Sequence, residues 1–281
     1  MKEGDRFRFI DDLSVLEIGN LLTVGLTSFH LKQQVPNDIP VHNQFIPPDN
    51  LESQKWLDNI NAWTIKQKMM LNEKKTKTMI FNYTHKYQFT TRLCVNDQPL
   101  EVINSTRLLG TIIQDNLGWD KNTAEIVRKA NARMELLRKV ASFGTNHEEL
   151  TNIYILFVRS LLEHSATVWH SSLTEDNKND LERVQKTALK VILGEKYKTY
   201  QQARNLLGLE TLNDRRENLC LTFAIKSSKN PKTKHMFPQN DKTHCMDTRN
   251  CEKFKVQHAH NERLKNSSII FIQNLLNPHY Y

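Results

Sequence analysis

Two adjacent carboxylates, Asp11 and Asp12, stand between Arg6-Phe7-Arg8-Phe9-Ile10 and Leu13-Ser14-Val15-Leu16, segments patterned with period 2. That patterning predicts a tight β-hairpin with the aspartates at or beside its turn. Carboxylates so placed can hold Mg²⁺, a hard cation that takes oxygen ligands and also binds substrate phosphate oxygens. A two-metal site of the polymerase type needs at least one further carboxylate from another element, so that the attacking and leaving oxygens are both clamped. Without such a partner an Asp-Asp pair is a solvated turn.

Other chemistry-bearing residues are more dispersed. A basic run, Lys74-Lys75-Thr76-Lys77, leads into a strand candidate, Thr78-Met79-Ile80-Phe81. Arg128, Lys129, Arg133, Arg138 and Lys139 lie on one helical segment and could track a phosphate backbone. The competing reading is a solvated helix face partly balanced by Glu125 and Glu135. Cys245, Cys251, His258 and His260, with His244 adjacent, could suggest a zinc knuckle, but intervals of five and six residues favour ordinary tail residues. Cys94 and Cys220 read as small core residues. Trp56, Trp63, Trp119 and Trp169 sit on apolar stripes and are expected in the core rather than as base-stacking platforms.

The elements that must position these groups follow from length and pattern. A chain of 281 residues has room for one large domain or two small ones. Gly and Pro number only 8 each, which argues against long disordered linkers and repeat-loop classes. No apolar run approaches the ~20 residues of a membrane span, and no signal peptide is visible. Four cysteines make no disulfide scaffold, so a reducing, intracellular setting, cytoplasmic or nuclear, is the expectation. The net charge of +8 favours a polyanionic partner. Prolines 36, 40, 47 and 48 predict a surface loop. A helix follows over about 50–68, with Leu51, Trp56, Ile60, Trp63 and Ile65 on one side. Short strands are expected at 78–81, 93–95, 100–102 and 108–113, with a turn at Asn96-Asp97-Gln98-Pro99. Beyond Trp119 the period changes to helical, with further helices at about 147–164, 176–193, 199–207, 212–228 and 262–276. The fold class is therefore α+β, a short mixed part followed by a helical part.

In this frame Phe9-Ile10-Asp11-Asp12-Leu13-Ser14 resembles the metal-binding hairpin of reverse transcriptases. Leu71-Asn72-Glu73-Lys74-Lys75-Thr76-Lys77-Thr78-Met79-Ile80-Phe81 resembles the following palm motif of non-long-terminal-repeat retrotransposons. Thr106-Arg107-Leu108-Leu109-Gly110-Thr111-Ile112-Ile113, with Leu117 and Trp119 after it, is similar to that family's primer-grip hairpin. Val158-Arg159-Ser160-Leu161-Leu162-Glu163 and Leu181-Glu182-Arg183-Val184-Gln185-Lys186-Thr187-Ala188 look like its later helical region. The resemblance is closest to jockey-like elements and covers nearly the whole chain.

The resemblance implies RNA-templated DNA synthesis by attack of a primer 3′-hydroxyl on a deoxynucleotide, with Mg²⁺ as cofactor. Asp11 would be the metal ligand and Asp12 a second carboxylate, both counted as catalytic. Lys77 would lie near the incoming triphosphate. Leu108, Leu109 and Gly110 would place the primer backbone. Arg128, Lys129, Arg133, Arg138 and Lys139 would face an RNA/DNA primer–template; no membrane partner and no small-molecule cofactor beyond deoxynucleotides is implied. Residues 1–116 would be a partial right-hand palm of hairpins plus a helix, 117–228 a thumb-like helical region, and 229–281 a polar linker with a last helix. In that family the fingers and the first catalytic aspartate precede the Asp-Asp hairpin, whereas ten residues precede it here. The expectation is therefore a truncated reverse transcriptase, inactive as the isolated chain, or alternatively a non-catalytic nucleic-acid-binding remnant.

Overall fold

A computed structural model describes residues 8–10, 16–18, 23–24, 52–81, 92–238, 254–256, 258–259 and 262–277. It mixes helix with small sheets, an α+β arrangement in the general sense. The chain divides into two units, Met1–Gly118 and Trp119–Tyr281.

The first unit contains β1 (Arg8–Ile10), β2 (Leu16–Ile18), β3 (Thr23–Val24), α1 (Glu52–Lys66) and β4 (Met69–Leu71). It continues through β5 (Lys77–Thr78), β6 (Ile80–Phe81), β7 (Cys94–Val95), β8 (Gln98–Pro99), β9 (Glu101–Val102), β10 (Ser105–Leu108) and β11 (Thr111–Gln114). Strands do flank Asp11-Asp12, but among the described residues β1 and β2 do not pair with each other. β1 runs parallel to β4, with Phe9 opposite Met70, while β2 pairs antiparallel with β3 and parallel with β6. Period-2 alternation identifies a strand and its faces; it does not name the neighbour, and here β4, reached through α1, pairs with β1 while β3 and β6 flank β2.

Helix α1 corrects a second expectation. Its buried face is Ser53, Gln54, Leu57, Ile60 and Thr64, so that Leu57 and Ile60 meet Leu71, Leu93, Val95 and Leu100 in a small core. Trp56 and Trp63 are instead exposed, at 48% and 53%. The polar residues decide the orientation. Gln54 holds both backbone groups of Cys94, donating to its carbonyl and accepting from its N–H, each at 2.9 Å. Sheet edges need such partners, so the helix turns its small and amide side chains inward. The turn after β7 is tighter than expected: Asn96 and Asp97 both have positive φ, which Asn and Asp tolerate, and Pro99 lies in strand β8.

The second unit is helical: α2 (Asp120–Ser142), α3 (His147–Ile153), a π-helical stretch (Tyr154–Arg159), α4 (Ser160–Glu163), α5 (Ala166–Trp169), α6 (Glu175–Leu193), α7 (Tyr200–Leu207), α8 (Leu212–Lys229), α9 (Glu262–Lys265) and α10 (Ser268–Leu276). No described helix is long and apolar enough to cross a membrane. Side chains of Asn146, Thr174, Thr199 and Thr211 accept from N–H groups three residues on and start α3, α6, α7 and α8; such caps are each worth about 1 kcal/mol. Gly208 closes α7 at φ +64°, a left-handed position that glycine occupies without strain.

The π-helical stretch has a sequence cause. Leu150, Tyr154, Val158 and Leu162 are all buried at a strict spacing of four. On an α-helix that spacing drifts by about 40° per step, and the wider π turn offsets the drift. They pack with Ala130, Met134 and Leu137 of α2, and with Leu181, Val184, Ala188, Leu189 and Ile192 of α6. A second cluster joins Cys220 and Ala224 of α8 to Phe237, Phe254, Ile272 and Leu276. The C-terminal helix breaks at Asn266-Ser267 rather than running through from 262.

Candidate nucleic-acid interface

Asp11 and Asp12 lie outside the described residues, as do His244, Cys245, Cys251 and His260. Among the described residues no group of three His, Cys, Asp or Glu side chains is placed to hold a metal ion. The magnesium expectation therefore rests on Asp11 and Asp12.

Lys77 opens β5, where it faces Glu101 of β9 in the parallel register. Its ammonium donates to the Glu101 carboxylate in an exposed ion pair. A triphosphate at Lys77 would have to displace that carboxylate. Glu101 lies outside the motif that singles out Lys77, and only the strand pairing shows the two together.

Leu108, Leu109 and Gly110 form the tip of the β10–β11 hairpin. Leu108 faces Thr111, leaving Leu109-Gly110 as a two-residue turn. Leu109 has φ +48° and Gly110 φ +88°, the handedness that matches the twist of the flanking strands. Glycine takes this conformation freely, whereas a leucine in the left-handed region carries about 1–2 kcal/mol of strain. Leu109 is also 83% exposed, so burial does not offset that cost. A strained, exposed apolar residue at a turn is an outlier of the kind that clusters at ligand clamps.

In the second unit, α2 carries all five expected cations, and most of them are engaged. Arg128 and Lys129 share the Glu125 carboxylate, Arg128 Nε at 2.8 Å and Lys129 Nζ at 3.5 Å. The Glu125 carboxylate raises the Arg128 pKa above its ordinary value. Arg138 pairs with Glu135. Arg133 donates from Nη1 to the Phe157 carbonyl at 2.5 Å, in the π-helical stretch. Lys139 sits exposed in the last turn, favourably placed for the helix dipole.

Most residues of the two strings of the later helical region are framework. Val158 and Leu162 are buried, and Glu163 lies between Arg159 at 3.4 Å and Arg215 at 2.8 Å. Leu181, Val184 and Ala188 are core, while Glu182 and Gln185 join a polar network through it. Tyr154 donates to Gln185 Oε1 at 2.7 Å; Gln185 donates to the Tyr200 hydroxyl at 2.7 Å and to the Glu210 carbonyl at 2.9 Å. The Tyr200 hydroxyl donates to Glu182, which also accepts from the Leu212 N–H at 3.1 Å. Burial pushes the Tyr154 and Tyr200 hydroxyls well above the ordinary phenol range, so both remain donors. Nearby, Arg216 is fully buried beside Trp169 and donates from Nε to His170 Nδ1 at 3.4 Å, but among the described residues neither of its terminal nitrogens has a hydrogen-bond partner.

Sequence reasoning missed one cluster. Lys186 lies over the ring of Tyr200 at 5.3 Å and Arg204 over the same ring at 5.2 Å; Lys190 lies over Tyr197 at 5.6 Å. The available signal was the basic, tyrosine-bearing run from 183 to 204, read only as helices.

No protein-family model matches the chain, and neither a curated protein nor a solved structure does.

Proposed function

We propose that this chain carries part of the palm and the thumb-like region of a reverse transcriptase of the jockey-like class, with RNA/DNA primer–template as its partner. The observation that carries the reading is the hairpin tip. Leu109 is held out in a strained backbone at the turn of the segment that resembles a primer grip. The order of the motifs along the chain supports the same reading, with Asp11 and Asp12 as metal-binding carboxylates and Lys77 beside the nucleotide. A second reading, retained binding without synthesis, is favoured by the cations of the second unit, because duplex binding there needs neither aspartate.

The test uses the purified full chain and a labelled RNA–DNA hybrid with a recessed primer end. The expected result is binding that weakens steeply as salt rises, without templated incorporation in Mg²⁺. Incorporation that disappears in Asp11→Ala would overturn the expectation of inactivity and make the chain a working polymerase. Failure to bind any nucleic acid at low salt would remove both readings.

A further inference from the structure

We infer that the side of the second unit where α6 meets α7 is a phosphate-backbone binding surface, built from Lys186, Lys190 and Arg204 around Tyr197 and Tyr200. This inference rests on the nucleic-acid reading and places the contact on residues other than the α2 cations. Three cations converge on two rings within one helix–helix corner. Glu182, one turn before Lys186, is the acid that helix spacing would offer as its partner. Its carboxylate is instead taken by the Tyr200 hydroxyl and the Leu212 N–H. The ring quadrupoles offset part of the mutual repulsion and hold each cation in place, but they leave the net positive charge standing. By contrast, Arg128, Lys129 and Arg138 of α2 each face a glutamate. Lys196 and Lys198 in the segment joining α6 to α7 add charge of the same sign, against Glu195 there.

The geometry suits a nucleic-acid strand. Lys186 and Lys190 are one turn apart on α6, about 6 Å along its axis, over which a duplex presents three to four negative charges, one per about 1.7 Å. Cations preorganised on rigid rings lose less freedom on binding than lysines on a solvated helix face.

The experiment measures affinity of the full chain for a fluorescein-labelled 20-base-pair RNA–DNA hybrid across a salt series. Each lysine–phosphate contact contributes about 0.9 to the log–log salt slope, so Lys186→Gln/Lys190→Gln should flatten the slope by about 2 and weaken binding roughly tenfold. Arg128→Gln/Arg138→Gln, which removes cations already neutralised, should move the slope less. If the lysine double variant loses helicity, Lys190→Gln alone carries the test with about half the change. Wild-type protein that ignores the hybrid removes the underlying nucleic-acid reading. Wild-type protein that binds, with the lysine variants unchanged, overturns this surface alone. Lysine-dependent binding to phosphatidylserine vesicles with hybrid binding unaltered also overturns it, by assigning the surface to a lipid headgroup.

Discussion

Acid should loosen the second unit through His170. The imidazole is almost fully buried against Phe271, with ring centroids 5.8 Å apart, and its Nδ1 accepts from Arg216 Nε. Burial first, then the positive charges of Arg216 and Lys178, lower its pKa to about 4. An exposed histidine in the unfolded chain titrates near 6.5. Between those values the unfolded state binds the proton and the folded state does not, so stability falls as pH drops from about 6.5 to about 4 and is unaffected above that window. A difference of about 2.5 pKa units at 1.36 kcal/mol each sets a ceiling of about 3 kcal/mol, of which about 2 kcal/mol is lost by pH 5. Urea unfolding followed by tryptophan emission at pH 8 and pH 5 measures this, because the buried Trp169 is the neighbouring residue. Carboxylates contribute their own pH dependence, so the comparison is with His170→Gln, which keeps a side-chain acceptor for Arg216 and removes the titration. Wild type should lose about 2 kcal/mol more than the variant on going to pH 5. Identical losses would refute the assignment of acid sensitivity to this ring.

Three further outcomes are expected, two in the second unit and one in the first. Arg216 is a buried cation whose two terminal nitrogens have no hydrogen-bond partner among the described residues, so Arg216→Met should leave stability within about 1 kcal/mol of wild type or raise it; a loss above about 3 kcal/mol in urea unfolding would show a paired guanidinium. Burial lowers the Arg216 pKa to about 10, consistent with an incompletely compensated charge. Gln185→Leu strips partners from Tyr154, Tyr200 and the Glu210 carbonyl together, and should cost about 2–4 kcal/mol by the same assay. Leu109→Asn relieves the left-handed strain and should stabilise the first unit by about 1 kcal/mol while weakening hybrid binding; a destabilised variant would refute the strain argument.

Helix positions were legible where caps and periodicity agree. Thr174, Thr199 and Thr211 stand just before α6, α7 and α8, and the expected spans fall within a residue or so of the observed ones. Trp56 and Trp63 show where hydrophobicity alone misleads: α1 is oriented by Gln54, whose amide satisfies the backbone of Cys94 forty residues away. The π turn and the strand partners were illegible for a related reason, since both are settled by packing between distant segments. The same holds for the candidate site. The glutamates beside Arg128 and Arg138 are visible three residues away, whereas Glu101 beside Lys77 and the tyrosines beside Lys186 and Lys190 depend on strand pairing and on the α6–α7 corner.

Within the resemblance strings the framework residues and the residue of the proposed surface, Lys186, have different physical duties. Val158, Leu162, Leu181, Val184 and Ala188 fill the core of the second unit, and Glu163, Glu182 and Gln185 tie its helices by ion pairs and hydrogen bonds. Among them Glu182 and Gln185 tie α6 to Tyr200 at the start of α7. In the proposed surface the charge is carried by Lys186, Lys190 and Arg204; Lys186 and Arg204 lie over Tyr200, the ring that the network anchors, and Lys190 lies over Tyr197. Because Glu182 is committed to Tyr200, tightening the framework and withholding that carboxylate from Lys186 are one event. A variant at Gln185 should therefore lose fold and binding together, whereas a variant at Lys190 should lose binding with the fold intact. Finding the two losses inseparable at Lys190 would mean that the cation–ring contact is part of the framework.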